Sequence, residues 1–301
     1  MKNLENNIEN EEGKHQTGQN DDKNEEQDSS IFIEDSDMVE EEAIEEDLEP
    51  PLEILYQDEH YIAVIKPHGL LVHRTDIAEH QKKFVLQKLR KQIKRWIYPI
   101  HRLDGPTTGV LVFGLHKKAA SKLSNLFRKR NMKKTYYALV RGHAPDKGII
   151  DQDIQKHLTN YFQNAVTKYI TVAKGILPIS RFGYDQLYYS LVRVQPHTGR
   201  MHQIRKHLKH INFPIICDRR YGDWRHNNLF AKEFGTKNLF LLAKKLEFIH
   251  PYTKELLVIQ TSFSQDMLQV AQRFDWDMEE LQKREQEGYY DAIEVDEDKD
   301  D

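Results

Sequence analysis

One cysteine, Cys217, stands in 301 residues. That scarcity excludes an internal disulfide framework and a zinc cluster of thiolates, and it suits a reducing compartment. Long hydrophobic runs are also missing. The longest span about six residues, far short of the roughly 20 that a membrane helix needs. The first residues are polar and acidic, unlike a secretory signal. A cytoplasmic protein is the expectation. No glycine-rich phosphate loop, no G-x-S-x-G nucleophile elbow and no internal repeat is present. A histidine-based metal site finds little support: His202 and His207 are five residues apart, about 140° around a helix of 3.6 residues per turn. Helical zinc pairs use i and i+4. No metal is expected.

Charge is abundant but segregated. Residues 1–50 carry 19 acidic and 3 basic side chains, and residues 275–301 carry 13 and 3. The stretch between them holds 38 basic against 16 acidic residues, a net charge of +22 hidden inside a chain of net −4. Such a body attracts polyanions. The division predicts an acidic, disordered segment over 1–51, a folded body over 52–274, and a second acidic tail over 275–301, partly helical and then disordered. Ile31-Phe32-Ile33 is the one apolar island of the first segment.

Within the body, Glu53–Gln57 and Tyr61–Lys66 read as a hairpin around Asp58-Glu59-His60, followed by a turn at Lys66-Pro67-His68-Gly69. Apolar spacing at Leu86, Leu89 and Ile93, and at Ala120, Leu123 and Leu126-Phe127, predicts two helices. TYYALVRG, LYYSLVRVQP, FLLAKKLEFIHP and ELLVIQTSF read as strands, and residues 149–184 show no clear period. HTGRMHQIRKHLKHINFP reads as a helix capped by Thr198, with Ile204, Leu208 and Ile211 on one face and Pro214 beyond its end. A further helix is expected from about Ser264. Strands and helices mix without regular alternation, which favours α+β architecture around a largely antiparallel sheet.

The stretch IHRLDGPTTGVLVFG, residues 100–114, places Arg102 and Asp104 in a polar turn at the mouth of an apolar strand. It resembles the H-R-L-D-x-x-T-S/T-G signature of the RluA-type pseudouridine synthases. Three other blocks are similar to that family, in its order: IKPHGLLVH, KKTYYALVRG and TGRMHQIRKHLKHINFPIICDRRYGD. Within the family, LEILYQDE, LLVHR and CDRRYGDWRHNN look most like the subgroup that modifies a uridine of tRNA. Cys217 departs from the usual glycine before Asp218, which implies a different backbone geometry at that turn, and Met201 replaces a commonly polar residue.

The resemblance implies a cofactor-free isomerase with the pseudouridine synthase fold. Asp104 would attack C1′ or accept the 2′ proton; both remain open. Arg205 would hold that carboxylate ionised against desolvation, and Tyr136 would stack on the uracil near C5 and take part in C5 deprotonation. Arg102, His101, Lys134, Arg200, His202 and Lys206 are the expected RNA contacts, with Arg102 either filling the gap left by an extruded uridine or binding a phosphate. The expected partner is RNA, tRNA before ribosomal RNA, bound by a monomer without membrane or metal. A basic protein that binds RNA without chemistry is the alternative from another class. Mere binding needs no carboxylate in a phosphate-rich groove.

The segregated charge predicts that RNA affinity falls steeply as salt rises. The slope is about −0.7 per phosphate contact for single strands. A filter-binding series across salt concentrations checks this, and a flat affinity contradicts a phosphate-binding body.

Overall fold

The computed structural model describes residues 50–73, 84–156 and 158–295. The acidic segment before Pro50, with its Ile31–Ile33 island, and residues 296–301 lie outside the described residues. Order is anchored at Leu52, whose backbone N–H and C=O both pair with the Gln92 amide.

The hairpin is present as β1 (Ile54–Gln57) and β2 (Tyr61–Lys66). Asp58 closes it by accepting from the backbone N–H groups of His60 and Tyr61. The chain continues through α1 (Val85–Ile93), β3 (Tyr98–Pro99), β4 (Thr108–Gly114), α2 (Lys117–Arg128) and β5 (Lys133–Arg141). Next come β6 (Lys147–Asp151), the short pair β7 (Ile154–Gln155) and β8 (Phe162–Gln163), β9 (Val166–Leu177) and β10 (Leu187–Pro196). After α3 (Gln203–His210) and α4 (Trp224–Glu233), strands β11 (Leu241–Ile249) and β12 (Leu256–Gln260) complete the sheet, and α5 (Gln265–Arg273), α6 (Met278–Gln286) and α7 (Tyr289–Val295) close the chain. Ser264 caps α5, as the sequence predicts, by accepting from the Met267 N–H.

The main sheet runs β1-β2-β4-β11-β5-β10-β9-β6, with β12 on β11 and β3 on β4. Every pairing is antiparallel except β4 with β11. The α+β, mostly antiparallel architecture is therefore present. The apolar run of β4 follows from its central place. Leu111 and Phe113 pack with Ile62, Val64 and Leu89 of the α1 layer, whereas Val110 and Val112 pack with Ala63, Ala119 and Leu123 of the α2 layer. A strand covered on both faces has no solvent side on which to place polar residues.

Three expectations change. The unreadable stretch 149–184 contains β9, the longest strand at 12 residues. Leu191 pairs with Ala173 and Val192 with Thr171, so Val172 is an extra residue in the ladder. This bulge shifts the two-residue alternation by one and conceals the strand from a periodicity search. The basic helix begins at Gln203, with His202 as its N-cap, because the Thr198 hydroxyl is engaged by the Gln203 side chain and the Val166 N–H. The body does not end at residue 274. Leu281 and Tyr290 are buried with the β5–β10 core, and Glu285 is 7% exposed.

Glu285 accepts from Tyr137 Oη at 2.8 Å and Arg193 Nε at 2.7 Å, and it faces Lys245 Nζ at 2.9 Å. Arg193 is fully enclosed at 1% exposure and also reaches Asp291. A buried guanidinium without a carboxylate is severely destabilising, which is why an acidic helix is retained over this face. Burial raises the Glu285 pKa, but Arg193 and Lys245 outweigh it and the carboxyl lies below its ordinary value. A depressed carboxyl pKa adds stability above its unfolded value, about 4.3, and that stability disappears as pH falls through the folded value. Glu285→Gln is expected to cost on the order of 3 kcal/mol at pH 7. Thermal melts of both proteins should converge as the solution is acidified below the ordinary carboxylate range, and a gap independent of pH contradicts the assignment.

Candidate active site

One row of residues crosses the sheet and explains why distant blocks of sequence share a site. Lys66 of β2 pairs with Gly109 of β4, Gly109 with Ala243 of β11, Ala243 with Tyr136 of β5, and Tyr136 with Val194 of β10. The crossing from β4 to β11 is tight. Gly109 has φ +115°, and a Cβ there would collide with the Ala243 carbonyl oxygen. Only glycine permits that approach.

Asp104 lies four residues before β4, in a turn closed by Thr107 N–H to the Asp104 carbonyl. Lys66 holds this turn from below. Its ammonium is buried and donates to the carbonyls of Pro67 and Gly105 at 2.7 and 2.8 Å. Burial pulls its pKa down to about 7, with Asp104 opposing. The Gly69 N–H adds a second tie to the Gly105 carbonyl.

The Asp104 carboxylate is 19% exposed and faces two groups of α3. Its Oδ2 is 3.4 Å from Arg205 Nη1, and its Oδ1 is 3.9 Å from His202 Nε2. Arg205 is held more firmly elsewhere. Its Nε and Nη2 grip Asp218 Oδ2 and Oδ1 at 2.7 and 2.8 Å, a two-point fork. Burial disfavours the guanidinium charge, but Asp218 and then Asp104 more than offset it, and the pKa rises above the ordinary arginine value. Asp218 is itself 1% exposed, and Oδ1 also accepts the N–H groups of Arg220 and Tyr221. Burial pushes its carboxyl up; Arg205 and these N–H groups bring it below the usual range.

Cys217 precedes Asp218 with φ +61°. The turn therefore places a cysteine in the left-handed conformation that glycine adopts freely, and the cysteine carries the strain. Asn227 offsets part of it, accepting from the Cys217 N–H and donating to the Asp218 carbonyl.

Tyr136 is half-buried on β5. Burial, and then the nearby Asp104 charge, drive its hydroxyl well above the ordinary phenol value, so it stays protonated at neutral pH.

The expected RNA contacts divide. Arg102 is exposed beside Asp104. Arg200 precedes α3 and Lys206 lies on it, and their heads are anchored on the Asn164 and Gln155 carbonyls. His202 belongs to the carboxylate site itself. His101 and Lys134 turn inward instead of toward a phosphate. The His101 ring stacks on Phe127 at 4.5 Å and accepts the Val112 N–H, and burial pushes it down to about 3. Lys134 donates to the Thr198 carbonyl, and burial, with Arg130 nearby, lowers it to about 8. His207 is occupied by Thr167 and the Gln152 carbonyl. Lys66, Asp218 and Tyr221 escape a sequence-based search for site residues. For Asp218 the signal is an acid directly between the apolar run Ile215-Ile216-Cys217 and Arg219-Arg220. Among the described residues no group of three or more His, Cys, Asp or Glu side chains is placed to hold a metal, and no helix is long and apolar enough to cross a membrane.

Comparison with known proteins agrees with this arrangement. The family model described as RNA pseudouridylate synthase matches residues 60–210. The chain is 43% identical over 242 residues to tRNA pseudouridine synthase C of Vibrio parahaemolyticus, covering 77% of this chain and 98% of that protein. It is 42% identical over 240 residues to the protein of that name from Pasteurella multocida, covering 76% and 99%. Among solved structures, Human RNA Pseudouridylate Synthase Domain Containing 4 superposes with a TM-score of 0.58 at 27% identity, covering 75% of this chain and 94% of that one. With its four motif blocks on one sheet row and the adjoining helix, the chain belongs to the RluA-type RNA pseudouridylate synthases.

Proposed function

We propose that this protein isomerises a specific uridine of tRNA to pseudouridine, with Asp104 as the reacting carboxylate. The observation that carries the chemistry is the placement of Asp104. A single carboxylate, partly open to solvent, has one oxygen held toward a buried arginine and the other, among the described residues, without a hydrogen bond. The tRNA substrate draws its support from the curated relatives, which share about 40% of residues over nearly their whole length.

The reaction breaks the N1–C1′ bond, reorients the uracil, forms C5–C1′, and loses the C5 proton while N1 gains one. No atom is gained and no electron is exchanged with a partner. Asp104 Oδ1 attacks C1′ or removes the 2′ proton. Both routes use the oxygen that Arg205 leaves free, and in both Arg205 steadies Oδ2 while charge shifts in the ribose. Tyr136, kept neutral by burial and by Asp104, offers a flat ring for the uracil and a hydroxyl that donates. It serves better as a stacking and orienting group than as the base at C5. Exposed Arg102, with Arg219 and Arg220, supplies charge for the phosphates around an extruded nucleotide.

Asp104→Asn keeps size and hydrogen bonding while removing the reactive oxygen. Tritium release from RNA labelled at uridine C5 should fall at least about a thousandfold, roughly 4 kcal/mol. RNA binding should hold or tighten, since a negative charge leaves a basic surface. Release by folded Asp104→Asn would falsify the assignment, and release from ribosomal RNA but not tRNA moves the substrate.

Arg205→Lys and Asp218→Asn attack the support from its two ends. Lysine cannot fork onto Asp218, and the neutral amide of Asp218→Asn leaves Arg205 one strong partner fewer. Both should lower the single-turnover rate about a hundredfold, the effect of a displacement near 1 Å, with RNA affinity little changed. Normal turnover in either variant contradicts the proposed support of Asp104.

A further inference from the structure

Asp104 Oδ1 and His202 Nε2 face each other at 3.9 Å, too far for a direct hydrogen bond. The other ring nitrogen, Nδ1, is 2.9 Å from Tyr221 Oη. His202 has φ +58° and ψ +27°, a left-handed conformation that glycine or asparagine adopts with less strain. Histidine is one of the few non-glycine residues enriched in this region, so the N-cap holds an imidazole in a conformation that still carries some backbone strain. Strain of this kind concentrates at sites where a side chain is needed.

Tyr221 is fixed by the same support as the catalytic arginine. Its N–H donates to Asp218 Oδ1, and the Arg205 guanidinium lies 5.1 Å from its ring centre. Burial and the cations Arg205, Arg220 and Lys206 lower the His202 pKa against the pull of Asp104. The ring is neutral at neutral pH and carries one N–H. With Nε2 facing a carboxylate, a lone pair there is repelled, so Nε2 carries the proton. Nδ1 then accepts from the Tyr221 hydroxyl.

We propose that His202 Nε2–H and Asp104 Oδ1 together clamp the 2′-hydroxyl of the target ribose, with Tyr221 positioning the imidazole. This rests on the reading of the chain as an RNA uridine isomerase. An oxygen about 2.8 Å from both atoms fits the 3.9 Å gap. It accepts from Nε2–H and donates to Oδ1. C2′ and C1′ follow one and two bonds from that oxygen, which brings the reacting carbons beside the carboxylate. The clamp makes the 2′-hydroxyl, the group that separates RNA from DNA, a requirement of the catalytic pocket itself.

Two substitutions separate the clamp from a structural role, because they act in opposite directions. His202→Asn suits the left-handed backbone but places no donor at the Nε2 position. His202→Gln keeps the backbone strain and restores a donor there. The probe is an RNA carrying pseudouridine at the site the enzyme modifies, against the same RNA with 2′-deoxypseudouridine. Neither turns over. Wild type is expected to bind the ribo form about fivefold more tightly, the worth of one net hydrogen bond. His202→Gln should retain most of that preference, His202→Asn should lose it, and Tyr221→Phe should reduce it. An unchanged preference in His202→Asn, or loss in Gln with retention in Asn, overturns the clamp. Tritium release by the wild type is measured alongside. No release from any RNA removes the underlying reading and the clamp with it, whereas normal release with unaltered discrimination removes the clamp alone.

Discussion

The ion pair between Arg205 and Asp218 governs the site. Both partners are enclosed by protein, at 5% and 1% exposure. An enclosed pair of this kind is a poor source of stability, because desolvation consumes much of the attraction. Its value here is directional. The fork fixes the guanidinium plane, and a fixed plane sets where Nη1 points, toward Asp104. The same Asp218 orders Arg220 and Tyr221 through their backbone N–H groups. One carboxylate therefore sets the position of the arginine that faces Asp104, an aromatic hydroxyl and, through that hydroxyl, a histidine.

The sheet serves this pair by bringing Asp104 to it. Lys66 beneath the turn and Gly109 against Ala243 fix the turn from two sides. These contacts belong to the strands and not to the loop, so the reactive group sits on a rigid frame. Precision of that sort is what positioning catalysis demands, since small displacements are costly.

Much of this is legible in the sequence, and what is not has physical causes. Helices α1 and α2 are visible because Leu86, Leu89 and Leu123 repeat at helical spacing on faces that are buried. Strand β9 is hidden by the bulge at Val172, which breaks the alternation on which strand reading depends. Motif marks Asp104 and Arg205, but not the distance between them. In sequence Arg205 looks like a partner of Asp104 alone, and only the fold shows its stronger commitment to Asp218. His101 and Lys134 have partners within the chain that sequence does not show, because a cation or imidazole in a basic stretch reads only as a phosphate contact. A carbonyl or backbone N–H that captures such a group, as at Thr198 and Val112, leaves no trace in local sequence.

The network at Glu285 has a consequence for how the chain is made. Arg193 emerges from the ribosome 92 residues ahead of the carboxylate that neutralises it. Until that acid is synthesised, the Arg193 guanidinium of β10 lacks its two-point pairing with Glu285, and the core beside it lacks that support. Domains fold as units, so the core beside β10 closes last: a chain that stops ahead of Glu285 already holds Asp104, Tyr136 and Arg205 but lacks the one carboxylate that Tyr137, Arg193 and Lys245 share.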